Sequence, residues 1–177
     1  MNYDEALFTY IEVSVAFAGF AALVTAIRDH ASGKTDPHLW VRLRGMVELA
    51  LLVAAFSVSA ISIRAFGVPD DTTWRICSGL LAAAWITQFL FVVARARRLH
   101  RLGYPFGSRP YRCFLYSVAL LSVASLVINA LGWWSSFAGA VYYTNLGVLL
   151  GVAGIWFVRL VVGIVPGGPP QNGGSQY

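Results

Sequence analysis

Apolar residues fill five long stretches of this chain, residues 7–27, 45–66, 76–94, 113–134 and 138–165, and polar residues collect in the gaps between them. Crossing a hydrocarbon layer takes about 20 helical residues, and each stretch approaches or exceeds that length. A transmembrane barrel would instead need segments of about 10 residues that alternate apolar with polar. Stretches such as "LLVAAFSVSAISI" and "CFLYSVALLSVASLVINALGWW" do not alternate. Unsatisfied peptide groups are costly in lipid, so helices are the form that remains. The expected fold is all-α, an integral membrane bundle of five transmembrane helices within residues 1–166, with a disordered tail, "GGPPQNGGSQY", over 167–177.

Composition agrees with the pattern. The 177 residues are 58% hydrophobic and 12% charged, with mean hydropathy +0.66, whereas soluble domains carry about a quarter charged residues. The formal net charge of +5 comes from Lys34 and the arginines, and its distribution sets an orientation. The first gap holds Arg28, Lys34, Arg42 and Arg44, and the third holds Arg95, Arg97, Arg98, Arg101, Arg109 and Arg112. The second gap, "GVPDDTTWR", is acidic on balance and the fourth, "WWSSFAGA", is uncharged. Gaps one and three are therefore expected in the cytoplasm, the N-terminus outside and the C-terminus cytoplasmic. The opening "MNYDEA" lacks the basic start of a cleaved signal peptide. Contact with the bilayer and with anionic lipid at the cytoplasmic face is expected; nucleic acid is not.

The flanks suggest an outer aromatic belt of Trp74, Trp133, Trp134, Tyr142 and Tyr143, with Trp40, Tyr104 and Tyr111 near the inner face. On that placement the apolar part of span five starts near Thr144. Thr35-Asp36-Pro37 reads as a helix start, a capping side chain followed by Pro at the first helical position. Cys77 and Cys113 fall at opposite ends of their spans, too far apart to pair, and each reads as a small buried residue.

The informative residues are polar ones inside the spans, because each is costly there. Glu12 is the sharpest. Retracting it to the headgroups would leave a first span of only about 22 Å, too short to cross without thinning the bilayer. Arg64, near the outer end of span two, is the expected partner, with Asn129 and Asn145 in the same layer. This outer cluster of Glu12, Arg64, Asn129 and Asn145 reads as a structural ion pair with hydrogen bonds, the alternative being an ion or proton site. Gln88, the central polar residue of span three, is expected in an interhelical hydrogen bond. At the inner face Glu48 has Arg44 one turn before it and Arg159 at comparable depth.

Stripes at helical spacing suggest close packing: Ser14, Ala18, Ala22 and Ala26 in span one; Glu48, Leu52, Ala55, Ser59 and Ser62 in span two; Ser122, Ser125, Asn129 and Gly132 in span four; and Gly147, Gly151 and Gly154 in span five. His30, His38 and His100, with Asp29 and Asp36, match no familiar metal spacing and read as solvated loop residues; no metal or other cofactor is expected. HExxH, GxSxG, Walker A, GxGxxG and CxxC are missing, as is the potassium-filter sequence TVGYG.

The segments "EVSVAFAGFAALV", "RLRGMVELALL", "NALG" and "WFVRLV" resemble a group of small bacterial multi-pass membrane proteins of unknown function. The resemblance implies a bacterial cytoplasmic (inner) membrane protein and brings no activity or catalytic residue. The expected role is a non-enzymatic assembly or accessory subunit, a homo-oligomer or the partner of another membrane protein. The alternative is an oligomeric ion or proton channel with its polar site near Glu12.

Overall fold

The computed structural model describes residues 3–32, 37–101 and 109–162. Among these are five α-helices: α1 (Tyr3–Ser32), α2 (Pro37–Ala65), α3 (Asp70–Arg101), α4 (Arg109–Ala130) and α5 (Ala138–Val162), with a 3-10 turn, Ser135–Phe137, before the last. Each is long and apolar enough to cross a membrane, over Asp4–Val24, Leu43–Ala65, Asp70–Arg98, Pro110–Ala130 and Ala138–Arg159. The tail 167–177 lies outside the described residues, as do Thr35 and Asp36, although α2 does open on Pro37.

Glycine turns explain two departures from the expected spans, the start of the third and the end of the fourth. After α2, Gly67 takes φ +78°, and its N–H donates to the Arg64 carbonyl (2.9 Å). Pro69 follows, and α3 begins at once with Asp70 and Asp71 in its first turn, where carboxylates oppose the helix dipole. Span three therefore starts six residues before the expected 76. Span four stops at Ala130 instead of 134 because Gly132 turns left-handed (φ +81°). Its N–H donates to the Asn129 carbonyl (2.9 Å) and that of Trp133 to the Ile128 carbonyl (3.4 Å), the paired bonds of a Schellman cap.

The helices alternate in direction, and α5, the most enclosed, touches all four others between an α1–α2 and an α3–α4 hairpin. Arg64 of α2 meets Asp4 and Asp70 at one end; Glu48 meets Arg95, and Arg159 meets Tyr111, at the other, basic end. The start of α1 and the end of α5 thus lie at opposite ends of the bundle.

Each helix buries one stripe. On α1 it is Leu7, Ser14 and Ala21, a seven-residue repeat that drifts by about 20° per step and so keeps facing its neighbours. The expected four-residue stripe advances about 40° per step, and it leaves the interface: Ser14 is buried, whereas Ala22 and Ala26 are exposed. The polar stripe of α2 is half-buried at Glu48 and Leu52 and exposed at Ala55 and Ser62; Met46, Leu49, Val53, Ser57 and Ala60 are the positions that face the core.

The aromatic belt needs correction. Trp133 and Trp134 are exposed, but Trp74, Tyr142 and Tyr143 are core residues packed tilted or edge-on against one another at 5.4–6.2 Å between ring centroids. Tyr142 reaches this interior because its hydroxyl donates to the Phe56 carbonyl of α2 (2.8 Å). Span five accordingly starts at Ala138, not near Thr144. Of the cysteines, Cys77 is buried, but Cys113 lies on the exposed face of α4; both are free.

Candidate functional site

The four residues of the expected outer cluster are separated from one another. Arg64 forms ion pairs with Asp4 of α1 and Asp70 of α3, the latter at 2.9 Å, and its guanidinium lies 5.5 Å from the centre of the Trp74 ring. Both aspartates stand in the first turn of their helices, level with the end of α2. Asp4 was concealed in "MNYDEA", which reads as a tail, whereas α1 already starts at Tyr3.

Glu12 therefore does not pair with Arg64. It is exposed on α1, and no hydrogen bond or ion pair reaches it among the described residues. The reason is rotational: Glu12 lies two residues, about 200°, from the inward-facing Ser14. Eight residues beyond Asp4, it also lies about 12 Å deeper along the helix.

The two asparagines are buried in separate sets of bonds. Asn129 Nδ2 donates to Ser78 Oγ (2.8 Å) and to the Ala138 carbonyl (2.9 Å), tying α4 to α3 and to the start of α5. Asn145 Oδ1 accepts from Ser122 Oγ (2.6 Å), and its Nδ2 donates to Ser125 Oγ (3.0 Å) and the Val141 carbonyl (2.8 Å). The Ser122, Ser125 and Asn129 stripe is thus the polar seam of α4.

The densest constellation is at the basic end. Glu48 accepts from both Nη atoms of Arg95 (2.9 and 3.0 Å), from Gln88 Nε2 (2.7 Å) and from Arg44 Nε (2.7 Å). Forked guanidinium binding fixes geometry as well as charge. Four donors on one carboxylate leave it little capacity to act as a base, and they lock α2 to α3. Arg44 and the interhelical bond of Gln88 match expectation. The apolar pattern assigns Arg95 to the gap after span three, whereas α3 continues to Arg101 and places Arg95 seven residues after Gln88, on the same face. Arg159 does not reach Glu48; its guanidinium lies 3.5 Å over the Tyr111 ring and joins α5 to α4.

Two of the three span-five glycines face α1. Gly147 lies against Tyr10 and Gly154 against Phe17, the seven-residue spacing of one helix matching that of the other, while Gly151 opens on free space. Tyr10 also donates to the Tyr143 carbonyl (3.1 Å). The tightest approach was not anticipated: a Cβ at Gly45 would land inside the Trp156 indole. The side chains of Asp29, His30, His38, Trp40 and His100, and all of Tyr104, lie outside the described residues.

Among the described residues the buried Asn129, Asn145 and Tyr142 bond to neighbouring helices, while Ser14 Oγ, Ser57 Oγ and Trp85 Nε1 are buried without a hydrogen-bond partner; Glu12, two turns beyond the exposed Glu5 at the start of α1, faces outward from the span. Compared with known protein families, curated proteins and solved structures, the chain matches none.

Proposed function

We propose that this chain is a non-enzymatic assembly or accessory subunit of a bacterial inner membrane, with its N-terminus outside and its C-terminus in the cytoplasm, and that α1 is the helix it offers to a partner or a second copy. The placement of Glu12 carries this reading. A charged side chain at the centre of a transmembrane helix costs about 3 kcal/mol, and such residues ordinarily face a bundle interior and a partner. Glu12 lies within Asp4–Val24 and faces away from its own bundle. The outward positions Ala16 and Gly19 are small, and nothing stands within 4 Å of a Cβ added at Gly19. Small residues let a second backbone approach closely, and a donor on that backbone's helix would satisfy the carboxylate. The opposite treatment of Glu48, surrounded by donors from its own chain, supports a scaffold over a catalytic role.

Purification in native lipid tests the proposal. The expected result is a defined oligomer or a stoichiometric membrane partner, lost in Glu12→Leu while the monomer stays folded. A monodisperse monomer without partners overturns it. Proton or ion flux in liposomes that Glu12→Gln abolishes would replace the scaffold with the channel reading, in which the Glu12 faces of several copies converge.

A further inference from the structure

A groove between α3 and α4 reaches the basic end of the bundle. It encloses about 650 Å³. Phe89 and Val93 of α3 and Ala119 and Val123 of α4 line it, and Arg97 and Arg112 stand at its mouth. Leu120 and Tyr116, also in its wall, are 70% and 42% exposed, so the groove opens sideways to whatever surrounds the bundle. A narrower recess continues inward to Leu49 of α2 and Trp156 of α5.

Length, charge and lining agree on one kind of occupant. From Arg97 back to Ile86, and from Arg112 forward to Val123, each antiparallel helix places five lining residues over a stretch of twelve, a run of about 16 Å. That is close to half of the roughly 30 Å hydrocarbon thickness, the depth of one leaflet. No carboxylate lines the groove. Arg44, Arg64, Arg75 and Arg95 each have an acidic partner, whereas Arg97 and Arg112 have none among the described residues. One turn further in from Arg112, Tyr116 packs edge-on against Phe89 (5.4 Å between centroids) and braces the two walls.

We propose that this groove is a binding site for one anionic phospholipid of the leaflet at the basic end, one of its acyl chains lying between α3 and α4 and its phosphate held by Arg97 and Arg112. Guanidinium groups suit this task because their planar forks bind phosphate oxygens in pairs. The apolar wall accounts for retention of a chain; two arginines with no carboxylate beside them favour a headgroup of net negative charge, because the phosphate of a zwitterionic lipid brings its own cation to the same place. The site is separate from the Glu12 face, so its failure would leave the proposed function standing.

Native mass spectrometry of the full-length protein, titrated with phosphatidylglycerol or with phosphatidylcholine of the same acyl chains, tests it. One phosphatidylglycerol should be retained with about tenfold preference, the scale of the one extra cation that phosphatidylcholine would bring beside the two arginines. The Arg97→Gln/Arg112→Gln variant should hold both lipids about equally. Ala119→Trp should lose both while keeping its arginines; Ala96→Phe, nearer the mouth, serves if that core change prevents folding. Equal retention of the two lipids by the wild type, or an unchanged preference in the double Gln variant, would overturn the proposal. So would displacement of the lipid by millimolar inorganic phosphate, which would make this a free-anion site, or a copurifying protein helix seated in the groove.

Discussion

Single positions decide how closely these helices can approach. Gly45 is the sharpest case, because its missing Cβ is the space that Trp156 occupies. Gly45→Ala should destabilise the protein by about 1–3 kcal/mol, the usual range for overpacking, and Trp156→Leu should recover part of that loss. A double-mutant cycle in thermal or denaturant unfolding checks this; additive losses would mean that the two residues do not share the space. The Glu48–Arg95 fork supports a second cycle. Both side chains are about a quarter exposed, so Glu48→Gln and Arg95→Ala should be coupled by about 1–2 kcal/mol, below a fully buried pair. Coupling near zero would make the fork incidental. That Glu48 and Gln88 matter was legible in the sequence, since each interrupts an apolar run. Arg44, one turn away on the same helix, was legible too; that Gln88 and Arg95 of α3 both donate to Glu48 was not, because that depends on the rotation of one helix against another. Arg64 shows the same limit: depth alone paired it with Glu12, whereas the rotation of α1 turns Glu12 outward and leaves Arg64 to Asp4 and Asp70.

At the scale of elements, the existence of all five helices could be read from run length, but several of their ends could not. A hydropathy pattern counts "LGWW" as apolar, whereas the chain leaves the helix there because Gly132 alone tolerates φ +81° cheaply. This end is further fixed from outside, as Arg75 of α3 donates through Nη2 to the Leu131 carbonyl (3.1 Å) and its guanidinium fills the place of a Gly132 side chain. Gly132→Ala should therefore cost more than the roughly 1 kcal/mol of a left-handed Ala, since it also dislodges Arg75. Arg75→Ala should cost less than Gly132→Ala, because it leaves the Schellman bonds intact. Thermal unfolding of both variants in one detergent checks the order, and the reverse order would place the strength of this end in Arg75. The seven-residue stripe of α1 makes a comparable point: the repeat that keeps contact with a neighbour is set by helix twist, so Leu7, Ser14 and Ala21 pack where the Ser14-to-Ala26 stripe does not.

For the whole molecule, helix direction and charge combine into one expectation. The turn between α4 and α5 carries the exposed Trp133 and no charge, while α3 ends on Arg101 beside the densest run of arginines. Because positive flanks are retained in the cytoplasm, these two sites, separated by the single crossing of α4, should face opposite compartments. Replacing the native cysteines and introducing either Trp133→Cys or Arg101→Cys makes the question measurable with a membrane-impermeant maleimide. Trp133→Cys should react in intact cells, and Arg101→Cys only after permeabilisation. The inverse pattern would turn the bundle over and move the phospholipid groove to the outer leaflet, where its arginines would meet a different set of headgroups. Reaction of both from one side would remove a crossing and, with it, the leaflet-deep groove that α3 and α4 form together.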